Sequence, residues 1–284
     1  MRLLVTGSQG QLGRALGQVG PARGHVVAGY DLPELDITDA VLVQRAVAGE
    51  RPDAIVNCAA FTAVDAAEAD EARATAVNGE GVANLAVVAN AVGAVLVHIS
   101  TDYVFDGRPG RPWREDDPTG PLSAYGRSKL AGERVAILAA QHLVVRTAWL
   151  FGKGWNFVEA IRIQLEEGRD PLAVVSDQIG SPTYAVDLAE ALVELLEIGA
   201  RGVVHAVNEG VTSWHGFAGE IVRLLGVHAE VRPISSSELN RPALRPANSV
   251  LDTARLRGLL GHGLPPWQDA LGRYLQMMGR ERME

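Results

Sequence analysis

The sequence predicts an α/β fold in which a doubly wound parallel sheet is followed by a smaller C-terminal substrate-binding unit. Three observations carry that expectation. Short apolar runs alternate with helix-period segments through the first half of the chain. The runs are rich in Val, Ile and Leu without polar alternation, as happens when helices cover both faces of a sheet. A glycine triplet, Gly7, Gly10 and Gly13, joins the first run to the first helical segment.

Taken in order, strands are expected at 2–6, 25–30, 54–58, 95–100 and 143–146, and helices at 11–19, 39–48, 77–91 and 124–140. That succession makes residues 1–150 a Rossmann-type dinucleotide-binding domain. After Phe151 the pattern loosens into a helix at 157–166, a strand at 172–175, a helix at 186–196, a strand at 203–207 and a helix at 214–225. Pro233, Pro242, Pro246 and Pro265 then mark irregular connections. Residues 151–284 are read as the smaller domain, with 180–207 returning to the first sheet.

Composition removes several classes. With 47% hydrophobic and 21% charged residues the chain is neither disordered nor of low complexity. A net charge of −8 leaves no basic face for nucleic acid. The apolar run at 83–97 is broken by Asn84, Asn90 and Gly93 and falls short of a membrane span. A single cysteine, Cys58, excludes a disulfide framework and a cysteine-rich zinc site. The opening MRLLVTG lacks the pattern of a secretory signal, so a cytoplasmic chain is expected.

The glycine turn lets backbone approach a pyrophosphate without a Cβ clash, at the positive end of the following helix. Asp31 ends the second strand, about where an acid receives the adenosine ribose hydroxyls. It repels a 2′-phosphate and so leans toward NAD, a lean that Arg14 or Arg23 would soften. Asp36 and Ile37 are placed beside the adenine. Ala59, Ala60 and Phe61, just after the third strand, leave room for a cofactor across the strand ends. His98 and Cys58 are read as core residues.

Tyr125 and Lys129 stand at i and i+4, on one face of a helix. A phenol near pKa 10 needs a cation beside it to exchange protons at neutral pH, and a compact ammonium suits that better than a guanidinium. Of the 26 basic residues only Lys129 and Lys153 are lysines. A Tyr-x-x-x-Lys would arise by chance in roughly 3–4% of such chains. Ser100 and Thr101 end the fourth strand, where a hydroxyl reaches a substrate carbonyl. Together these residues describe a hydride-transfer site in which tyrosine handles the proton.

Longer strings narrow the class. VTGSQGQLG (5–13), NCAAFTAVDAAE (57–68), STDYVFDG (100–107), YGRSKLAGE (125–133), RTAWLFG (146–152), DQIGSPT (177–183) and RPANS (245–249) follow one another in order. The chain resembles the extended branch of the short-chain dehydrogenase/reductase superfamily, and within it the dTDP-4-dehydrorhamnose reductase family. That resemblance implies reduction of the carbon-4 ketone of a dTDP-linked 6-deoxy-4-keto sugar with NADPH or NADH. It implies Gly7, Gln9, Gly10, Gln11, Leu12 and Gly13 as cofactor residues. It also implies Thr101, Tyr125 and Lys129 as the catalytic set, with Tyr125 and Lys129 touching the cofactor as well. Thr101, Asp102, Tyr103 and Trp149 would line the sugar, and Asn156, Arg245 and Asn248 the nucleotide diphosphate.

Nucleotide-sugar dehydratases of this superfamily place two acids after the threonine, whereas Tyr103 follows Asp102 here, so simple reduction is favoured. Some reductases of the family join subunits through a metal held by an acid just after the glycine turn. Ala15 stands there, which counts against a metal-bridged pair and leaves a metal-free homodimer or a monomer open. Two other readings compete: a non-catalytic NAD(P)-binding regulatory subunit, like the methionine adenosyltransferase beta subunit, and a reductase of another keto-deoxysugar nucleotide.

Overall fold

In the computed structural model, which describes residues 1–108 and 110–281, the first half builds five strands of one six-stranded sheet. Its elements are β1 (Arg2–Thr6), α1 (Gln11–Ala22), β2 (Val26–Tyr30), α2 (Ala40–Glu50), β3 (Ala54–Asn57), α3 (Val64–Ala69), α4 (Glu71–Thr75), α5 (Gly81–Val92), β4 (Val95–Thr101), α6 (Ala124–Ala136) and β5 (His142–Thr147). The chain continues through β6 (Leu150–Phe151), α7 (Phe157–Glu166), β7 (Leu172–Val175), β8 (Ile179–Gly180), β9 (Thr183–Tyr184), α8 (Ala185–Glu197) and β10 (Gly202–His205). It ends with β11 (Asn208–Glu209), β12 (Thr212–Ser213), α9 (Trp214–Leu225), β13 (Val231–Ile234), α10 (Ser236–Leu239), α11 (Ala254–Leu260), β14 (Leu264–Pro266) and α12 (Trp267–Glu281).

The sheet runs β2-β1-β3-β4-β5-β10, parallel throughout. Burial explains the unbroken apolar runs. Leu3 and Val5 of β1 pack on one side with Leu12 and Leu16 of α1 and Leu188 and Leu192 of α8. Leu4 packs on the other with Val43 of α2 and Leu85 of α5. Val95 and Val97 of β4 divide from Leu96 in the same way. Alternate side chains face opposite helical layers, so every position must be apolar. The order reverses between β1 and β3, and ligands of such sheets bind at the strand carboxyl ends beside that reversal.

The segment after α7 does re-enter this sheet: β10 pairs with β5, Gly202 opposite Leu143 through His205 opposite Arg146. A second cluster gathers Phe151, Tyr184, Phe217, Trp267 and Tyr274 from β6, β9, α9 and α12. Beside it β7 and β13 pair in parallel.

The structure departs from the sequence reading at several points. Two short helices, α3 and α4, occupy a stretch where none was expected; Asp70 separates them, its carboxylate accepting from the Arg73 N–H. The helix expected at 77–91 starts as a π turn over Ala76–Glu80 before becoming α5. The helix expected to reach 140 stops at Ala136, and the Ala140 N–H is taken by the Asn90 side chain. No helix of the described residues is long and apolar enough to cross a membrane.

Candidate active site at the carboxyl edge of the sheet

Gly7 follows β1 with φ +64°, and a Cβ there would stand 2.6 Å from the Ala59 nitrogen. A Cβ on Gly13 would stand 2.3 Å from the Gly7 carbonyl oxygen. The Gly10 N–H donates to Gly7 O at 3.1 Å, closing the turn. α2, α6, α7 and α9 each have a side chain capping their first N–H groups, but α1, whose N-cap is Gly10, has none. Those donors therefore point outward from a backbone cradle, the geometry that receives an anion. Asp31 braces the turn: its carboxylate accepts from Gln9 N at 2.7 Å and from Leu32 N at 2.8 Å. The two arginines expected to offset it are placed differently. Arg14 donates to Gln9 O, and Arg23 is paired with Glu194 and Glu197.

From this turn a cleft of about 880 Å³ runs along the strand ends. Gly7, Gln9, Gly10, Gln11, Leu12 and Gly13 form one end, with Asp31, Asp36 and Ile37 beside them. Ala59 and Ala60 lie in the floor. Thr101, Asp102, Tyr125, Lys129 and Trp149 form the far end. Thus sixteen of the predicted positions share one cavity with Ser100, which the sequence placed beside Thr101, with Lys153, and with Arg73 and Trp155, which the sequence did not single out.

Ser123 caps α6 by accepting from the Gly126 N–H, which starts the helix so that Tyr125 and Lys129 turn toward β4. Lys129 is 3% exposed, and its ammonium donates to the Ile99 carbonyl at 2.6 Å. Burial lowers its pKa to about 8, against the opposing charge of Glu133. Thr101 donates to Asp102 Oδ1 at 2.9 Å and accepts from the Tyr103 N–H at 3.2 Å. Tyr103 packs edge-on to the Tyr125 ring, centroids 5.6 Å apart.

The expectation that Lys129 draws the Tyr125 phenol down is not met. Burial first, and then the Asp102 charge, push the phenol above its ordinary value, and the Thr101 hydroxyl alone opposes them. Lys129 is not among the groups that move it; its ammonium is held by the Ile99 carbonyl. The phenol accordingly keeps its proton through the neutral range, the state a proton donor requires.

Behind Lys129 lies a buried pair missed in the sequence. Glu133, one helical turn further on, accepts from Arg146 Nε at 2.9 Å and Nη2 at 2.8 Å, and from the Ser100 hydroxyl. It is the last residue of the YGRSKLAGE string, but only the fold brings Arg146 of β5 to it. Asn78, within the π turn, was also missed. It accepts from Phe61 N and donates to Phe61 O and the Ser128 hydroxyl, pinning the chain beside Tyr125. The Lys129 ammonium is buried and anchored to the Ile99 carbonyl where it meets the cleft, so Lys129→Arg is expected to lower kcat roughly ten- to a hundredfold. Steady-state kinetics checks this; an unchanged kcat would mean that only the charge matters.

Several predicted contacts lie elsewhere. Phe61 and Tyr103 do not line the cleft; they pack behind it, against Tyr125. Asn156 caps α7, accepting from Val158 N and Glu159 N and donating to Gly152 O, Gly154 O and the Tyr274 hydroxyl. Every polar atom of its side chain is used in holding a loop. Asn248 likewise accepts from Val250 N and donates to Arg108 O. Arg245 forks onto Asp65 at 3.1 and 2.9 Å, and Arg241 joins it. Burial would raise the Asp65 carboxyl, yet these donors and the Ala243 N–H hold it down to about 2. The acid that pairs with this guanidinium comes from the NCAAFTAVDAAE string. His98 is buried as expected but only half satisfied: Nδ1 faces the Asn57 amide, and Nε2 has no partner.

Trp149 does face the cleft. It holds φ +48°, a left-handed conformation rare for a bulky side chain, and stacks on Trp214 at 3.7 Å and 8°. Gly180 lies against its ring. Among the described residues, no three His, Cys, Asp or Glu side chains gather closely enough to hold a metal ion.

Comparison with known proteins places this geometry in context. A family model described as the RmlD substrate binding domain matches residues 1–280. A dTDP-4-dehydrorhamnose reductase of Streptomyces griseus is 49% identical over 279 residues, covering 95% of this chain and 91% of that one. The crystal structure of a dTDP-4-dehydrorhamnose reductase of Clostridium acetobutylicum superposes with a TM-score of 0.94 at 40% identity, covering 98% and 100% of the two chains. One from Bacillus anthracis, solved in complex with NADP, gives 0.93 at 38% identity, covering 97% and 99%.

Proposed function

Because the chain belongs to the RmlD substrate-binding-domain family, we infer that it is the oxidoreductase that reduces the carbon-4 ketone of dTDP-4-dehydro-6-deoxy-L-mannose to dTDP-L-rhamnose, using NAD(P)H. The observation that carries this reading is the cleft itself. One cavity holds an uncapped glycine turn at one end and Thr101, Tyr125 and Lys129 at the other.

The turn at Gly7 and Gly13, where a Cβ would strike neighbouring backbone, lines one end of the cleft and fits the pyrophosphate of a dinucleotide. Asp31 would receive the adenosine ribose, and Ala59 and Ala60 leave space over the strand ends. When bound, the nicotinamide supplies the hydride. Tyr125 donates its phenolic proton to the oxygen at carbon 4 as charge develops there. Lys129, held by Ile99 O and countered by Glu133, fixes the ribose and keeps positive charge beside the phenol. Thr101 hydrogen-bonds the ketone and Tyr125, while Asp102 and Trp149 border the sugar. Arg245 would serve a diphosphate only by exchanging or sharing Asp65. Asn156 and Asn248 act by holding the loops that carry it.

In this reading residues 1–150, with the returning 180–207, bind the cofactor, and 151–284 supply the nucleotide-sugar side. Small nucleotide-linked metabolites as its substrates support a cytoplasmic location. Assay is direct: loss of NADPH or NADH absorbance with the 4-keto sugar nucleotide, with dTDP-L-rhamnose identified as product. Cofactor binding without turnover would instead support the regulatory-subunit reading.

A further inference from the structure

Trp149 stands in the link between β5 and β6 and lines the far end of the cleft. Its backbone holds φ +48°, a conformation that a bulky residue keeps only where its surroundings enforce it. Part of that enforcement is local, since the Trp149 carbonyl accepts from the Thr183 N–H at 3.1 Å. The bond fixes the peptide and leaves the ring to be placed by what it touches. One contact is Trp214, whose indole lies 3.7 Å away and within 8° of parallel. Another is Gly180, where an added Cβ would stand 2.6 Å from Trp149 Cε2 and 2.8 Å from Cζ2. A side chain at either point other than these would move the ring.

Trp214 itself does not line the cleft. It opens α9 directly after β12, and β12 pairs antiparallel with β8, Thr212 opposite Gly180. Both contacts of the Trp149 ring therefore come from one small pair of strands. The Ser213 hydroxyl accepts from the Gly216 N–H at 3.0 Å and fixes the start of α9. Trp214 also meets Phe157, centroids 4.6 Å apart, and Phe217 at 6.4 Å. Those rings belong to the aromatic cluster of the second half of the chain. A tryptophan serving that cluster alone has no need to lie flat on a strained residue of the cleft wall.

We propose that Trp214 is a positioning residue for the sugar end of the cleft: it holds the Trp149 indole in the orientation that borders the sugar, without touching substrate. This rests on the reductase reading and adds to it a residue outside the cleft. Trp149 touches sugar in the ground state and in the transition state alike. An interaction made equally in both sets KM and leaves kcat alone. Trp214 should therefore act on sugar affinity, through Trp149, and on neither the cofactor nor the nucleotide.

Trp214→Leu tests this, because it keeps apolar bulk and loses the flat face, and Trp214→Phe is the conservative variant that retains a face. Calorimetric titration of the full chain with dTDP-L-rhamnose, and separately with dTDP, isolates the sugar. Trp214→Leu should bind dTDP-L-rhamnose roughly three- to tenfold more weakly, the worth of one aromatic stack. It should bind dTDP and cofactor as the parent does, and raise KM by the same factor with kcat within about twofold. Trp214→Phe should recover most of the loss. In a Trp149→Ala background Trp214→Leu should weaken dTDP-L-rhamnose no further, since the two residues act as one unit. An unchanged affinity for dTDP-L-rhamnose overturns the proposal. So does an equal loss for dTDP, which is what general loosening of α9 would give, and so does an additive loss in the Trp149→Ala background. Should Trp214→Leu not fold, Trp214→Met takes its place with the same expectations. Failure of the reductase reading shows in the parent, which would neither oxidise NAD(P)H with the keto sugar nor bind dTDP-L-rhamnose. Failure of the proposal alone leaves the parent active and Trp214→Leu indistinguishable from it.

Discussion

Tyr125→Phe is expected to lower kcat by about three orders of magnitude and leave cofactor affinity within a few-fold. The ring itself does structural work that phenylalanine can continue. It packs against Phe61, Ala67, Ala74 and Ala124 and meets the edge of Tyr103, and none of those contacts uses the hydroxyl. Removing the oxygen deletes only the proton donor at the far end of the cleft. The cradle at Gly7 and the brace at Asp31 lie at the other end of the cleft and should not notice. Steady-state kinetics paired with a fluorescence titration of the reduced cofactor separates the two effects. A variant within tenfold of the parent rate would show that water or another side chain delivers the proton.

What the sequence revealed follows from how local each constraint is. The glycine turn was legible because it is a backbone requirement written in consecutive residues: a left-handed φ at Gly7 and a close approach at Gly13 leave no alternative residue. Tyr125 and Lys129 were legible because helical spacing alone puts them together, in a chain almost without lysine. Other site residues came from the family resemblance, and the fold gives them further partners. Arg245, Asn156 and Asn248 are the right types for a diphosphate, yet each is held by a partner distant in sequence or by loop backbone: Asp65 lies 180 positions from Arg245, and Tyr274 lies 118 from Asn156. Glu133 and Asn78 went unseen for the converse reason, since their importance comes from Arg146 and Phe61, which only the parallel register delivers. The phenol's upward shift was likewise illegible. It depends on how deeply the far end of the cleft is buried, and spacing carries no measure of depth.

Gly7→Ala should cost both stability and cofactor binding, and the contrast with Gly17→Ala shows why. At Gly7 the methyl would stand 2.6 Å from Ala59 N and 2.7 Å from the Cys58 carbonyl carbon, both backbone atoms of the segment leaving β3. Neither can rotate aside. The left-handed φ adds about 1–2 kcal/mol for an L residue, and the clash about 1–3 kcal/mol more. Together about 2–5 kcal/mol lowers the melting midpoint by roughly 3–8 °C in a chain of this length. Because the strain is relieved by parting β1 from β3 at their carboxyl ends, the turn's N–H groups lose their aim. Loss of one or two charge-assisted hydrogen bonds to the pyrophosphate weakens cofactor binding roughly ten- to a hundredfold. Gly17 sits two turns into α1 with nothing within 4 Å of an added Cβ. There alanine should stabilise by about 0.5–1 kcal/mol and leave affinity unchanged. Thermal unfolding and cofactor titration of both variants check the pair. If Gly7→Ala binds cofactor as tightly as Gly17→Ala, the cradle is not where the pyrophosphate rests, and the cleft would have to be read in another direction.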